Sequence, residues 1–402
     1  MSRTVFLTGG TGLIGSHLGH CLLKSGDKVI YLVRPTKNAE AKERIQYPLS
    51  LIDPNFDLDQ YPYEILVGDI RAPKLGIENG IITHLQDKVD AIFHAAGSIS
   101  FSKAESENTW QTNVEGARRT LEFAECVGSG YFGYVSTAYV VGNDEGLAHE
   151  EIASPEKYNN YYELTKAIAE TLVIDSGIPF SIFRPPIVMG DSKTGRTLKF
   201  DGYYMYLRSF WLLRKSIMNR LQKNPDYYKD IGIRINDETG NLVLPLLVKY
   251  HFDATINLMF ADAVAEMIVK LSKKELSRGK IFHLTHPHPP TVKWALLTSL
   301  KLIGVEGVQL VNPDIPDVEM QHNSPVLDRY QKVLNEGLAE YNDYTTLRHS
   351  FDTFNVRAIL NSNYYEPPLI DEKFLKKTVN YVIEKNFRDS HERMRAQNTK
   401  AY

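Results

Sequence analysis

The sequence has little of what marks several classes of protein. Only two of its 402 residues are cysteines, Cys21 and Cys126, which indicates neither a disulfide framework nor a CxxC metal pair. Its 46 basic and 49 acidic residues give a net charge of -3, which argues against a surface built for nucleic acid or acidic lipid. No apolar run approaches the roughly 20 residues of a spanning helix, and because a strand-like segment begins at Thr4 we expect no signal peptide. We expect a folded, cytoplasmic protein without transmembrane segment, nucleic-acid partner or metal.

Short β-branched segments alternate with longer helical patterns from residue 4 to about 185. The predicted strands are Thr4–Leu7, Lys28–Val33, Tyr63–Val67, Asp90–His94, Tyr131–Ser136 and Phe180–Arg184. The predicted helices are Leu13–Lys24, Ala39–Ile45, Glu107–Val127 and Tyr161–Asp175. This alternation is typical of stacked βαβ units. It predicts an α/β fold with a doubly wound parallel sheet.

The regular alternation of strand and helix patterns ends at about residue 190. We expect a nucleotide-binding domain at 1–190, with strand contributions from about 245–290, and a smaller, mostly helical substrate-binding part with lid insertions at 191–402. The aromatic segment Gly202–Leu213 lies in that second part. Two interpretations of it remain open, an acyl channel and an ordinary core helix.

A glycine-rich turn follows the first predicted strand and runs directly into a helix. Glycine permits a tight turn and close backbone approach, and a helix N-terminus offers N–H groups and a positive dipole end to a pyrophosphate. The order of strand, turn and helix therefore predicts a dinucleotide site. Its expected cofactor-binding residues are Thr8, Gly9, Thr11, Gly12, Leu13, Ile14 and Gly15.

The second predicted strand ends without a carboxylate to hold an adenosine ribose 2′-hydroxyl. The chain there reads Leu32-Val33-Arg34. A guanidinium suits bidentate pairing with a 2′-phosphate, so Arg34 favours NADPH over NADH. The alternative is that Arg34 is a solvated charge at the end of a strand.

The carboxyl ends of the third and fourth strands should lie in the same pocket, because ligands bind there in such sheets. Asp69 is expected to accept a hydrogen bond from the adenine amino group, with Ile70 beside the ring. Small residues would let the cofactor lie close, namely Ala95, Ala96 and Gly97. The preceding His94 is expected to be a packed or hydrogen-bonded strand residue and not a proton carrier.

A tyrosine and a lysine four residues apart open the helix predicted from residue 161. Positions i and i+4 share a helix face, so Lys166 should lie near Tyr162 and lower the pKa of its phenol. Tyr162 is then expected to donate a proton to a carbonyl oxygen. Thr137, at the end of the fifth strand, is the expected hydroxyl partner. Ser136 remains its rival because adjacent strand positions point to opposite faces.

These motifs together resemble an extended short-chain dehydrogenase/reductase with a Rossmann-like fold. The matching residues, within about 4–290, include the glycine turn, Asp69, His94-Ala95-Ala96, Asn113, Ser136-Thr137, Tyr162, Lys166 and Arg184-Pro185. The resemblance implies that Asn113 completes a catalytic set with Thr137, Tyr162 and Lys166. It also implies that cofactor contacts come from Ser136, Tyr162, Lys166, Pro185 and Ile187.

Within that superfamily the chain is most similar to fatty acyl-CoA reductases and thioester-reductase domains. The features are Leu32-Val33-Arg34, the segment 182–195, and Asn257 with Asp262 before an alanine-rich helix. The resemblance implies NADPH-dependent reduction of a small-molecule or carrier-bound acyl thioester to an aldehyde or alcohol. The alternative is an NAD(P)-dependent nucleotide-sugar epimerase or dehydratase, or a hydroxysteroid-type dehydrogenase. Relatives often form homodimers, and the sequence leaves that question open.

Overall fold

The structure is a computed structural model that describes residues 2–37, 39–316, 320–364 and 366–388. The chain divides into two compact units. Unit 1 comprises 1–192, 259–287 and 351–368, and unit 2 comprises 193–258, 288–350 and 369–402. Segment 351–368, which the sequence-based division assigned to the second part, therefore packs within unit 1.

A parallel sheet of seven strands, counted over the described residues, forms the centre of unit 1. The strands are β1 (Thr4–Thr8), β2 (Lys28–Val33), β3 (Tyr63–Val67), β4 (Ala91–His94), β5 (Phe132–Val135), β7 (Phe180–Arg184) and β13 (Lys280–His283). Their order across the sheet is β3-β2-β1-β4-β5-β7-β13. The chain reverses its direction of winding between β1 and β4, which is the switch point where such sheets bind ligands. The predicted doubly wound parallel sheet is confirmed.

The strands are continuous apolar runs because helices cover both faces of the sheet. Val5, Phe6 and Leu7 of β1 are fully buried, for example. The helices of unit 1 are α1 (Leu13–Lys24), α2 (Ala41–Ile52), α3 (Asn79–Leu85), α4 (Ser106–Trp110), α5 (Gly116–Cys126), α6 (Tyr161–Asp175), α8 (Ala261–Ser272) and α12 (Phe354–Leu360). Two short strands, β6 (Gly146–Ala148) and β8 (Ile187–Met189), also belong to unit 1.

The helix predicted over 107–127 is interrupted in the structure. A π-helical stretch, Gln111–Glu115, lies between α4 and α5 and contains Asn113. Insertions of this kind occur frequently at functional sites. Helix α6 begins where predicted, because the side chain of Asn160 accepts a hydrogen bond from the backbone N–H of Glu163 at 3.0 Å and caps the first turn.

Unit 2 combines helices with two small sheets. Its helices are α7 (Tyr203–Leu221), α9 (Val292–Leu302), α10 (Pro325–Leu338), α11 (Asp343–Thr346) and α13 (Glu372–Glu384). Its strands are β9 (Arg234–Ile235), β10 (Leu242–Val243), β11 (Leu247–Lys249), β14 (Val305–Glu306) and β15 (Gln309–Val311), with β12 (Leu258–Phe260) and β16 (His349–Phe351) at the boundaries of the unit along the chain. Strand β10 pairs with β9 and β14, and β11 pairs with β15.

The aromatic segment near residue 203 forms the first part of α7. Tyr203, Tyr206 and Phe210 are buried in unit 2. The hydroxyl of Tyr203 lies 2.8 Å from the carbonyl oxygen of Ala295 in α9. These side chains therefore pack α7 within its own unit.

None of the helices in the described part of the chain combines the length and the apolar character needed to span a membrane.

Candidate active site

The glycine turn leaves no space for side chains between β1, β4 and α1. Gly9 has φ +75°, and a Cβ there would lie 2.5 Å from backbone atoms of Ala95 and Ala96. A Cβ on Gly15 would lie 2.1 Å from the carbonyl oxygen of Gly9. Helix α1 follows Gly12 without a side-chain cap, so its first N–H groups face the turn. This close, uncapped helix N-terminus fits the pyrophosphate of a dinucleotide. Thr11, Leu13 and Ile14 are half-buried around it.

Thr8 and His94 join the carboxyl ends of β1 and β4. Their Oγ1 and Nδ1 atoms lie 2.9 Å apart, and Thr8 Oγ1 also accepts a hydrogen bond from the Ala96 N–H at 3.3 Å. Burial, with the nearby Lys166 ammonium, lowers the pKa of His94 to about 3. His94 is therefore a neutral, hydrogen-bonded strand residue at neutral pH.

Arg34 lies at the edge of a cavity of about 520 Å³ just beyond β2. Lys37 and Val67 also line this cavity, as do Glu40 and Glu43, which form a capping box at the start of α2. The guanidinium of Arg44 donates a hydrogen bond to the carbonyl oxygen of Arg34. Burial and the neighbouring Arg34 charge lower the pKa of Arg44. Two guanidinium groups therefore lie close together at the end of β2.

Asp69 is paired with Arg71, two residues further along the chain. Arg71 Nη2 lies 2.7 Å from Asp69 Oδ2, and the Arg71 N–H donates to Asp69 Oδ1 at 2.9 Å. Burial acts to raise the pKa of Asp69, but hydrogen bonds and charge from Arg71 outweigh it and keep that pKa below its usual range. Ile70 is 6% exposed and packs against Gly116, so its side chain points into the hydrophobic core.

Tyr162 is half-buried in the first turn of α6 beside the end of β5. The Thr137 side chain lies close enough to act on its phenol, and the ring centroid of Phe101 lies 5.9 Å away. Burial raises the pKa of Tyr162 to about 12, although the Thr137 hydroxyl acts in the opposite direction. This differs from the lowered pKa expected from the spacing, because the loss of water around the phenol dominates. Tyr162 is thus a protonated phenol at neutral pH.

Lys166 extends toward the end of β5 on the inner side of α6. Its Nζ donates to the carbonyl oxygen of Val135 at 2.6 Å and lies 4.3 Å from the ring centroid of Tyr134. Burial lowers the pKa of Lys166 to about 7, although the carboxylate of Glu170 acts to raise it. The lysine therefore titrates near neutral pH.

Asn113 connects the segment after β4 to α6. Its Oδ1 accepts from the Ser98 N–H at 2.8 Å, and its Nδ2 donates to the Ser98 carbonyl at 2.9 Å and to Thr165 Oγ1 at 3.0 Å. A Cβ on Gly97 would lie 3.3 Å from Asn113 Oδ1 and 3.9 Å from Lys166 Nζ. The side chains of Asn113 and Lys166 thus converge on Gly97.

Of the two hydroxyls after β5, Thr137 is the one that reaches Tyr162. Ser136 Oγ is buried and has no hydrogen-bond partner among the described residues, while its backbone N–H donates to Phe183 at 2.7 Å. The carbonyl of Pro185 accepts from the Ala138 N–H at 2.8 Å, which ties the Arg-Pro turn to the same region. Ile187 begins β8 and is half-buried.

The structure also contains a buried ion pair that the sequence reasoning missed. The Nε and Nη2 atoms of Arg184, at the end of β7, donate to the two carboxylate oxygens of Glu170 at 2.9 and 2.6 Å. Glu170 comes four residues after Lys166 in α6. The i+4 spacing from Lys166 was the available signal, since it places the carboxylate on the same face of the helix as the ammonium.

Comparison with known proteins identifies the family. The model described as "Male sterility protein", an NAD-binding family, matches residues 7–236, more than half of the chain. A linear gramicidin synthase protein of Brevibacillus parabrevis is 27% identical over 340 residues, which cover 80% of this chain and 6% of that protein. A Drosophila melanogaster protein whose name assigns it to the fatty acyl-CoA reductases is 29% identical over 229 residues, 47% of this chain and 41% of its own. The chain thus spans less than half the length of these relatives.

A solved structure shares the fold over nearly the whole chain. The crystal structure of the terminal R domain from the myxalamid PKS-NRPS biosynthetic pathway has a TM-score of 0.74 at 22% identity, covering 96% of this chain and 92% of that one. The glycine turn, the parallel sheet and the family model agree with one another. This chain belongs to the male sterility protein family, an NAD-binding family.

Proposed function

We propose that this protein is an NADPH-dependent reductase that converts an acyl thioester into an aldehyde. The observation that carries the proposal is the position of the Thr137 hydroxyl beside the Tyr162 phenol, with Lys166 one helical turn further on, at the carboxyl end of the sheet. Strand β5, which precedes Thr137, ends at the same edge of the parallel sheet as β1, which precedes the glycine turn. Such an arrangement stabilises negative charge on a carbonyl oxygen during reduction.

The preference for NADPH rests on the end of β2. Arg34 and Arg44 together provide two positive charges, and no carboxylate ends the strand to hold a 2′-hydroxyl. Guanidinium groups pair well with phosphate because their donors form a planar fork. When bound, the reduced nicotinamide supplies a hydride to the substrate's carbonyl carbon.

Thr137 and Tyr162 hold the carbonyl oxygen and stabilise its developing negative charge. Tyr162 then donates its proton to that oxygen; its pKa of about 12 keeps the phenol protonated until that step. The resulting hemithioacetal breaks its carbon–sulfur bond, so aldehyde and free thiol leave. One thioester, one NADPH and one proton yield one aldehyde, one thiol and one NADP⁺.

Lys166 and Asn113 would act on the cofactor and on the position of α6, respectively. The Lys166 ammonium would bind the ribose hydroxyls next to the nicotinamide, and its charge would favour loss of the phenolic proton from Tyr162. Asn113 keeps α6 and the Gly97-Ser98 segment at a fixed separation through its three hydrogen bonds. Asp69 remains the proposed adenine ligand and would share its oxygens with Arg71.

The thioester class is supported by the relatives. One is named as a fatty acyl-CoA reductase and another structure is the terminal R domain of a PKS-NRPS pathway. We therefore infer a substrate whose acyl group is attached to coenzyme A or to a carrier protein. Both attachments present the same thioester to the site.

The test is to follow NADPH absorbance with matched acyl-CoAs, acyl-pantetheines, ketones and sugar nucleotides, and to identify products by mass spectrometry. We expect NADPH consumption with thioesters, and aldehyde plus free thiol in equal amounts. Alcohol with a second NADPH consumed would extend the reaction by one further reduction. Turnover of sugar nucleotides without net NADPH consumption would replace the proposal with an epimerase.

A further inference from the structure

A row of buried groups extends from α6 to the far edge of the sheet, outside the four residues assigned to catalysis. Arg184 is 0% exposed and the side chain of Glu170 is 5% exposed. His283 Nε2 lies 3.4 Å from Arg184 Nη1, and His283 Nδ1 lies 2.9 Å from the carbonyl oxygen of Asp352. Since that carbonyl can only accept, Nδ1 carries the proton and Nε2 accepts from Arg184.

His283 therefore fixes the orientation of the Arg184 guanidinium. Burial and the Arg184 charge lower the pKa of His283 to about 3, so the ring stays neutral and able to accept. The guanidinium in turn holds both oxygens of Glu170. A bidentate pair of this kind leaves the carboxylate little rotational freedom.

The surroundings of Lys166 contain few groups that stabilise a positive charge. The Val135 carbonyl and the Tyr134 ring face it from β5, and neutral His94 faces it from β4. The amide of Asn113, in the π-helical stretch, lies beside Gly97 as the Lys166 ammonium does, and Tyr162 comes one turn earlier in α6. Glu170 is the carboxylate that acts on Lys166, and it also acts on the Tyr134 hydroxyl beneath the ammonium.

We propose that Glu170, clamped by Arg184, is a positioning residue that keeps Lys166 charged and directed toward the nicotinamide ribose. The helix supplies the spacing, because residues 166 and 170 lie one turn apart on the same face. Arg184 compensates the buried carboxylate with an opposite charge and two hydrogen bonds, which fixes its position. The inference deepens the proposed function and rests on it.

The first test compares the pH dependence of kcat in the wild type and in Glu170→Gln. Loss of the carboxylate should lower the pKa of Lys166, so the decline of activity at alkaline pH should begin about one pH unit lower. Turnover should consequently fall about ninefold at pH 8 but only about twofold at pH 6. A purely structural role would reduce kcat equally at both values and would overturn the inference.

Two control variants sharpen this test. Glu170→Asp retains the charge and should restore most of the wild-type pH profile. Glu266→Gln removes an exposed glutamate that pairs with Lys270 at 2.7 Å on α8, and it should leave the profile unchanged. A displaced profile in Glu266→Gln, or no recovery of the profile in Glu170→Asp, would also overturn the inference.

A second test needs no activity and therefore separates this inference from the proposed function. A double-mutant cycle with Glu170→Gln and Lys166→Met measures the coupling between the two residues from urea unfolding. We expect favourable coupling at pH 6, where Lys166 is charged, and its loss at pH 9. Equal coupling at both pH values would overturn the inference even if the enzyme reduces thioesters. Coupling as expected, without thioester reduction, would refute only the proposed function.

The Glu170→Gln variant leaves the Arg184 charge buried without its partner and is open to misfolding. The cycle is therefore also run with Glu170→Met and Arg184→Met introduced together, which removes the buried Arg184 charge along with its partner. The coupling with Lys166 should keep its sign and its dependence on pH. Its absence at pH 6 would contradict the inference.

Discussion

The two ends of the proposed cofactor site differ in how far their charged side chains are exposed to water. At the adenosine end, Arg34 and Lys37 are exposed and Arg44 is half-buried. At the nicotinamide end, Lys166 and Arg184 are buried. Charges in water are screened and interact weakly, whereas buried charges interact strongly with each partner and cannot be left unpaired. The exposed end is therefore suited to selecting the cofactor, and the buried end to setting pH dependence and local stability.

The largest effect should come from breaking the ion pair at the buried end. Arg184→Met leaves the Glu170 carboxylate buried without its partner, which costs about 3–5 kcal/mol of unfolding free energy. Urea unfolding followed by circular dichroism measures this loss. A loss smaller than that of a surface substitution would show that water reaches the pair.

The next effect concerns how stability depends on pH. The pKa of Lys166 falls from its ordinary 10.5 to about 7 in the folded chain, so the unfolded chain binds more protons between these values. The buried Lys166 therefore lowers the free energy of unfolding by its full amount below about pH 7. This penalty diminishes as the pH increases from about 7 toward 10.5. Lys166→Met should gain stability relative to the wild type at pH 6, and that advantage should shrink by pH 9. A pH-independent difference in unfolding free energy would contradict the lowered pKa.

At the exposed end, Arg34→Ala should weaken NADPH binding without affecting NADH. A charge-assisted hydrogen bond to phosphate contributes about 1.5–3 kcal/mol, so the KM for NADPH should rise roughly 10- to 100-fold. Because NADH lacks the 2′-phosphate, its KM should stay the same. Equal losses for both cofactors would place Arg34 outside the phosphate site. The effect should also diminish at high salt, in contrast to the effects at the buried end.

The smallest effect is expected on the outer surface of α2. Lys42 and Asp59 form an exposed pair at 2.7 Å. Water and salt screen such pairs, so Lys42→Ala should leave the urea midpoint and the KM for NADPH unchanged within measurement error. A clear change in the NADPH KM would extend the phosphate site to this helix.

The sequence predicted well those elements whose signals are local. Helices Leu13–Lys24 and Tyr161–Asp175 have the predicted bounds, because a glycine turn or an asparagine cap marks where each begins. The predicted strands of the central sheet differ from the observed ones by one residue at most at any end. The hydroxyl at Thr137 and the phenol at Tyr162 also meet, as their positions after β5 and at the start of α6 suggested.

Features that depend on contacts between residues far apart in the chain could not be predicted from the sequence. The π-helical stretch around Asn113 follows from hydrogen bonds to Ser98 and Thr165, whose proximity only the fold creates. The phenol of Tyr162 has a raised pKa because burial, which spacing does not reveal, outweighs the opposing effect of the Thr137 side chain. The contact between His283 and Arg184 joins residues 99 positions apart.

The most direct measurement of the central claim is deuterium transfer from NADPH labelled at the hydride-donating carbon. With a long-chain acyl-CoA, the wild-type enzyme should release an aldehyde with one deuterium on its carbonyl carbon, and Tyr162→Phe should form it roughly 100-fold more slowly while still binding NADPH. Unlabelled aldehyde, or equal rates in both proteins, would contradict the account.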